Sequence, residues 1–372
     1  MTTFKKDPEF ISVGAAQCTK TPPKHIIDAY KKAIDDGLYF HYGDRRGELE
    51  LREAFSRKLE RENDIEVNPE KNILVTPGAR GGFFVATQTF LTRSAEVITM
   101  DPSYEGSFTE TCLAGGEPIS VPYKEETGFR VNTEEIEERI TSSTTMIIIV
   151  NPDNPTGHVY TREELEAIGN IAKKHDLMIL SDEAYESTLF DNRRHISTAS
   201  LPDMEDRVIS LFNLKDCGCS GLRVGCTVAS QKNIDRMVYI HGHACAQVNR
   251  VAQRAAIAAY DGPRDFLKDW LVDFDTGRKI TVEALNKIEG VRAFTPEAGY
   301  VVWSNISKLG TSEEVWKFLV ENAKVGTSPG NWYGQHGEGY LRLAHSSATM
   351  PKLREALKRI QDALEEYPTL EK

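Results

Sequence analysis

The chain has 372 residues, 40% of them hydrophobic and 27% charged, with a formal net charge of −11. That length and balance suit a globular protein of one large domain and a smaller one. The charge argues against a nucleic-acid or anionic-membrane partner, and no stretch approaches the roughly 18 apolar residues that cross a bilayer.

In chain order, the first 37 residues are expected to join a smaller α+β unit completed by residues 263–372, leaving 38–262 as the large domain. Within the large domain a rhythm repeats of short apolar run, turn and helical pattern. The runs are 72–76, 96–100, 145–150, 177–181 and 207–212. They are rich in Ile and Val and do not alternate strictly, which predicts strands buried on both faces of a mostly parallel sheet. Between them, Thr161 and Glu164 form a capping-box pattern ahead of a helix reaching His175. Strand–helix alternation predicts a doubly wound α/β fold. The last third changes character, with long amphipathic helices expected over 265–287 and 352–366, and strands over 300–305 and 340–344. Six cysteines are too few for a disulfide scaffold in a chain of this size. Read as buried free thiols, they place the protein in the cytoplasm.

Open parallel sheets bind ligands beyond the carboxyl ends of their strands. The residues expected there are Gly78, Ala79 and Arg80 after the first run, Tyr104 after the second and Asn154 after the third. Asp182 and Tyr185 follow the fourth, and Lys215 the fifth. These types suit a phosphorylated pyridine aldehyde. The amides of Ala79 and Arg80 open a helix whose dipole favours phosphate, and Gly78 lets the backbone approach. Tyr104 can stack on the ring and Asn154 can bond its phenolate oxygen. Asp182 can pair with the ring nitrogen, and Lys215 can form a Schiff base and then shuttle a proton.

The strings Asn151-Pro152-Asp153-Asn154-Pro155-Thr156-Gly157 and Asp182-Glu183-Ala184-Tyr185 carry a resemblance. So do Lys215 with Gly221, Arg223 and Gly225, and the segment Gly339 to Leu343 around Arg342. Over nearly its whole length the chain resembles the fold-type I pyridoxal-phosphate aminotransferases of class I and II. The resemblance implies pyridoxal 5'-phosphate as cofactor, an amino acid and a 2-oxo acid as substrates, and a homodimer. It gives Arg223 to the phosphate, with Tyr42 arriving from the neighbouring subunit. Tyr185 joins Asn154 at the phenolate oxygen, and Arg342 clamps the substrate α-carboxylate.

The chain departs from the family pattern at Phe212-Asn213-Leu214 before the lysine, so that one phosphate contact is missing or passes to Asn213 or Ser210. It departs again at Ala16, where the family has a substrate-facing glycine, and at Gln17-Cys18-Thr19 after it. Arg45 and Arg46 follow Tyr42 in a loop that the family places at the active-site mouth. A cation facing the site there would select a dicarboxylate such as aspartate, the favoured donor; a solvated basic turn is the alternative. The expected activity is transamination, and a lyase, decarboxylase or racemase on the same fold is the alternative.

Overall fold

The computed structural model describes residues 7–367. Its strands are β1 (Ile11–Ser12), β2 (Ile73–Thr76), β3 (Glu96–Asp101), β4 (Glu117–Pro122), β5 (Thr144–Val150), β6 (Met178–Asp182), β7 (Val208–Asn213), β8 (Gly225–Val228), β9 (Arg292–Ala293), β10 (Val301–Asn305), β11 (Val325–Gly326), β12 (Ser328–Pro329) and β13 (Tyr340–Ala344). Its α-helices are α1 (Lys24–Asp35), α2 (Leu49–Asn63), α3 (Gly78–Phe90), α4 (Glu105–Leu113), α5 (Thr133–Glu138), α6 (Arg162–Lys174), α7 (Gln231–Cys245), α8 (Arg250–Asp261), α9 (Phe266–Leu285), α10 (Ser312–Phe318) and α11 (Met350–Glu365).

A seven-stranded sheet in the order β2-β8-β7-β6-β5-β3-β4 forms the centre. Its neighbours run parallel except for β8, which is antiparallel to both β2 and β7. The period-2 geometry of a strand sends successive side chains to opposite faces. Ile147 and Ile149 join Ile179 and α6 residues Leu165 and Ile168 on one face. Ile148, Leu180 and Ile209 meet Phe83 of α3 and Met237 of α7 on the other. Both faces are therefore dry, which is why the runs lack alternation; each such side chain contributes about 1.5–3 kcal/mol on full burial. The capping box is present: Thr161 Oγ1 accepts from the Glu164 amide at 3.2 Å, and the Glu164 carboxylate accepts from the Thr161 amide at 2.7 Å.

The C-terminal third builds an antiparallel sheet, β12-β13-β10-β9. Strand β1 pairs in parallel with β11, so the start of the described chain meets its last third. Residues 7–37 are divided between two cores. Ile11 and Val13 pack with α11 residues Leu353, Leu357 and Ile360, whereas Ile26 on α1 packs with Phe55, Val75 and Ala255 beside the large sheet.

Asp101 is among the polar contacts that tie the large sheet to the C-terminal third. Asp101, fully buried at the end of β3, accepts from the backbone N–H groups of Gln335 at 3.1 Å and His336 at 3.0 Å. Removing the acceptor of a desolvated donor costs about 1–3 kcal/mol, and these two bonds are partly buried. Asp101→Ala is expected to lower unfolding free energy by about 2 kcal/mol in chemical denaturation, and Asp101→Asn, which keeps one acceptor oxygen, by roughly half that.

Candidate active site

Asp182, Asn213 and the turn at Gly78 all lie at one rim of the central sheet, at the ends of β6, β7 and β2. A cavity of about 440 Å³ opens there, lined by Ala79, Arg80, Tyr104, Asn154, Asp182 and Lys215 among others. A second cavity of about 630 Å³ continues from it and shares Tyr104, Asn154, Tyr185 and Lys215 with the first. The structure thus brings the expected rim residues into one cleft. Lys215 Nζ donates to Tyr185 Oη at 2.8 Å and lies 4.2 Å from the centre of that ring. The lysine backbone is held by Asn213, whose side-chain oxygen accepts from its N–H at 2.7 Å.

The end that suits an anion is made by backbone. Helix α3 begins at Gly78, and no side chain caps it, so its first N–H groups remain available to a ligand. Gly78 has φ of 74°, and a Cβ there would lie 2.6 Å from Arg223 Nη2. Only glycine fits. Arg223 is itself left-handed, with φ of 52°, and its guanidinium donates to the carbonyls of Pro77 at 2.9 Å and Ser220 at 3.1 Å. A non-glycine residue in that region costs about 1–2 kcal/mol, a cost often found at functional sites. Ser220 also lines the cavity, and its buried hydroxyl has no hydrogen-bond partner. These features fit a phosphate: an uncapped helix start, an arginine and an orphaned hydroxyl. Ser210 plays no part in this cradle, since it sits mid-strand on β7, paired in register with Ser181 and Val228. Asn213 does line the cleft.

The larger cavity holds Arg342, from the centre of β13. Its guanidinium is buried and donates to Asn154 Oδ1 at 2.8 Å and the Gly14 carbonyl at 2.7 Å, while Nε has no partner. Among the described residues no carboxylate lies within the 4.0 Å of an ion pair. Such a buried cation is suited to a carboxylate from outside the chain. Ala16 lines the same cavity beside Gly14 and Ala15. Phe10, Trp316, Val320, Trp332 and Tyr333 make an apolar wall that the strand-end reasoning did not reach. A signal was present in the sequence: large aromatics at 316, 332 and 333, of which Trp332 is 42% exposed.

Tyr42, expected to serve a neighbouring subunit, and the Arg45 and Arg46 that follow it lie away from the cleft of this chain. Tyr42 is 88% exposed. Arg46 pairs with Asp235 and donates to the Glu70 carbonyl, and Arg45 packs near Gly242. The side chain of Arg80 turns to the Tyr104 hydroxyl and to Glu105, its guanidinium 5.3 Å from the Tyr104 ring. Burial pushes the Tyr104 phenol up, so it stays protonated.

Burial also pushes the Asp182 carboxyl up to about 6, against the opposing effect of the Ala184 N–H at 3.1 Å and the Lys215 charge. A carboxyl raised in the folded state binds its proton more tightly there than when unfolded. Its contribution to stability is therefore lost as pH rises from 3.8 through about 6. Asp182→Asn, which keeps the acceptor for Ala184, is expected to make the cofactor-free protein more stable than the parent at pH 7 by about 3 kcal/mol. The gap should close below about pH 4 in denaturation series run across pH.

With this geometry in hand, the relatives can be placed beside it. The family model for aminotransferase class I and II matches residues 8–360. An aspartate aminotransferase of Pyrococcus abyssi is 34% identical over 362 residues, covering 96% of this chain and 92% of its own. Aromatic-amino-acid aminotransferase 2 of Thermococcus litoralis is also 34% identical, over 360 residues, with the same coverage. Among solved structures, an aromatic aminotransferase from Pyrococcus horikoshii superposes with a TM-score of 0.92 at 34% identity, covering 97% of this chain and 96% of that one. The aspartate aminotransferase from Rhizobium meliloti gives 0.92 at 26% identity, covering 99% and 94%. The chain belongs to the class I and II aminotransferases, and it is a transaminase dependent on pyridoxal phosphate.

Proposed function

We propose that the amino donor is an L-amino acid with a large apolar or aromatic side chain. The observation that carries this is the wall of Phe10, Trp316, Val320, Trp332 and Tyr333, in a cavity whose lining cations among the described residues are Lys215 and Arg342. Arg342 takes the α-carboxylate, which among the described residues lining this cavity leaves no further arginine for a second one. In this reading Lys215 would hold the cofactor through its Nζ, and the same amine is placed to move a proton. Asp182 holds a proton on the ring nitrogen, and Tyr185 and Asn154 direct their polar groups at the ring oxygen. Gly78, Ala79, Arg80 at its backbone, Ser220 and Arg223 receive the phosphate. Tyr104 covers the ring, and Ala16 borders the substrate. The bound cofactor supplies an electron sink for the bonds at the substrate α-carbon.

Aspartate is the second reading, favoured by Arg45, an exposed cation three residues from Tyr42. A homodimer would bring that loop to the partner's cleft. Supporting a dimer, Tyr39, Phe40 and Tyr42 are 58%, 69% and 88% exposed within four residues, an apolar patch that a second copy would cover. We place the enzyme in the cytoplasm on its free thiols, buried at Cys217, Cys219 and Cys226.

Steady-state kinetics with 2-oxoglutarate separate the two donors. Phenylalanine is expected to exceed aspartate at least about tenfold in kcat/KM, the size of one well-made apolar contact. The reverse ranking, abolished by Arg45→Ala, would establish the dicarboxylate reading. Arg342→Lys should cut kcat/KM about 10- to 100-fold for either donor, since a charge-assisted pair contributes about 1.5–3 kcal/mol. Light scattering should give twice the chain mass of 41.7 kDa. Tyr42→Ala should weaken cofactor retention about tenfold or more, as expected for a lost bond to a charged group. An active monomer would overturn the dimer.

A further inference from the structure

Behind the cleft lies a buried polar cluster that the chemistry above does not use. Helix α2 sends Lys58 into the interior, where its side chain is 1% exposed. Its Nζ bonds the Glu186 carboxylate and donates to Asn63 Oδ1 at 2.8 Å. Asn63 Nδ2 closes the ring by donating to the other Glu186 oxygen at 2.6 Å. The nearest further charge is Glu62, whose carboxylate is 4.0 Å from Nζ. Replacing such a buried ionic cluster with packed apolar side chains is often neutral or stabilising. Stability alone therefore gives little reason for it.

Its position gives a better one. Glu186 directly follows Tyr185, in a turn closed by bonds from the Glu186 N–H to the Glu183 carbonyl at 3.1 Å and from the Thr188 N–H to the Tyr185 carbonyl at 2.9 Å. The same Lys58 Nζ lies 5.0 Å from the centre of the Phe212 ring, three residues before Lys215. One ammonium thus grips the segment after β6 that presents Tyr185 and the end of β7 that leads to Lys215. The separation these two segments determine is the 2.8 Å contact between Tyr185 Oη and Lys215 Nζ.

We infer that Lys58, acting through Glu186 and Asn63, is a positioning residue that fixes the Tyr185 phenol against the Lys215 amine. This rests on the roles given above to Tyr185 and Lys215. Geometry is what it contributes, and displacement of a catalytic group by about 1 Å can cost about a hundredfold in rate.

The test is a triple variant, Lys58→Met, Asn63→Leu and Glu186→Met, studied as holoenzyme. Apolar replacement of all three leaves no unpaired buried group, so melting temperature should stay close to the parent. The kcat should fall about tenfold or more while KM changes less than about twofold. The pH midpoint of the bound cofactor's visible absorption should rise. A phenol donating to the cofactor's anionic ring oxygen favours its deprotonated form, and a loosened phenol gives that up. A folded triple variant with parental kcat and parental midpoint would overturn the inference. Should the triple variant not fold, Asn63→Leu, which opens the ring but spares the ion pair, must move kcat and midpoint in the same directions; if both stay put, the inference fails. Tyr185→Phe separates the two levels. If it too leaves kcat and midpoint unchanged, the assignment of Tyr185 has failed. If it responds while the Lys58 variants do not, the positioning role alone has failed.

Discussion

Charge buried without a permanent counter-ion is the constraint around which this molecule is arranged. Asp182 and Arg342 are both 6% exposed, and each is held by hydrogen bonds rather than by an ion pair. Water would satisfy either group better than these partners do, so the fold must hold them against that preference. It does so by placing each on a strand. Asp182 ends β6, between β5 and β7 at the middle of the large sheet, and Arg342 is the middle residue of β13. A ligand bearing a cation for one and an anion for the other supplies what the folded chain lacks. That is why binding energy and stability are opposed at this site.

The same constraint accounts for how the two sheets are joined. The groups that must cooperate are far apart in sequence: Gly14 and Asn154 contact Arg342 from 328 and 188 residues away. Local structure cannot bring them together. The pairing of β1 with β11 and the anchoring of residues 335 and 336 on Asp101 do; the first is a backbone pairing, and the second joins a side-chain carboxylate to two backbone N–H groups.

Much of this was legible in the sequence, for identifiable reasons. Strands buried on both faces announce themselves as unbroken Ile and Val runs, as at Thr144–Val150. The rule that ligands sit beyond strand ends then located Asn154, Asp182 and Lys215 without coordinates. What stayed hidden belongs to tertiary packing. Ser220 carries no motif of its own, and only the left-handed turn at Arg223 brings it to the cleft. The apolar wall of residues 316–333 comes from a short helix and the brief turns and strands after it, where spacing says little about which way an aromatic points. Ser210 was a reasonable candidate by nearness in sequence and failed by register. It lies within the sheet, three residues short of Asn213 at the strand's end and paired with Ser181 and Val228. Helix α1 likewise follows the N-terminal strand in sequence but packs on a different core.

The reversed direction of β8 has a consequence for how this architecture can change. Because β7 and β8 form a hairpin, the eleven residues between Asn213 and Gly225 leave and re-enter the sheet at a single edge. Had β8 run with its neighbours, a crossover of a dozen or more residues would have carried its first residues to the far edge. The Lys215 amine and the Arg223 guanidinium, which line one cavity, would then sit a strand's length apart. The turn between them is accordingly a fixed-length part: lengthening it moves Lys215 relative to Arg223, with a single 3-10 turn, Ser220–Leu222, in between. Loops elsewhere on the molecule can drift in length over generations, but this one is expected to hold its count.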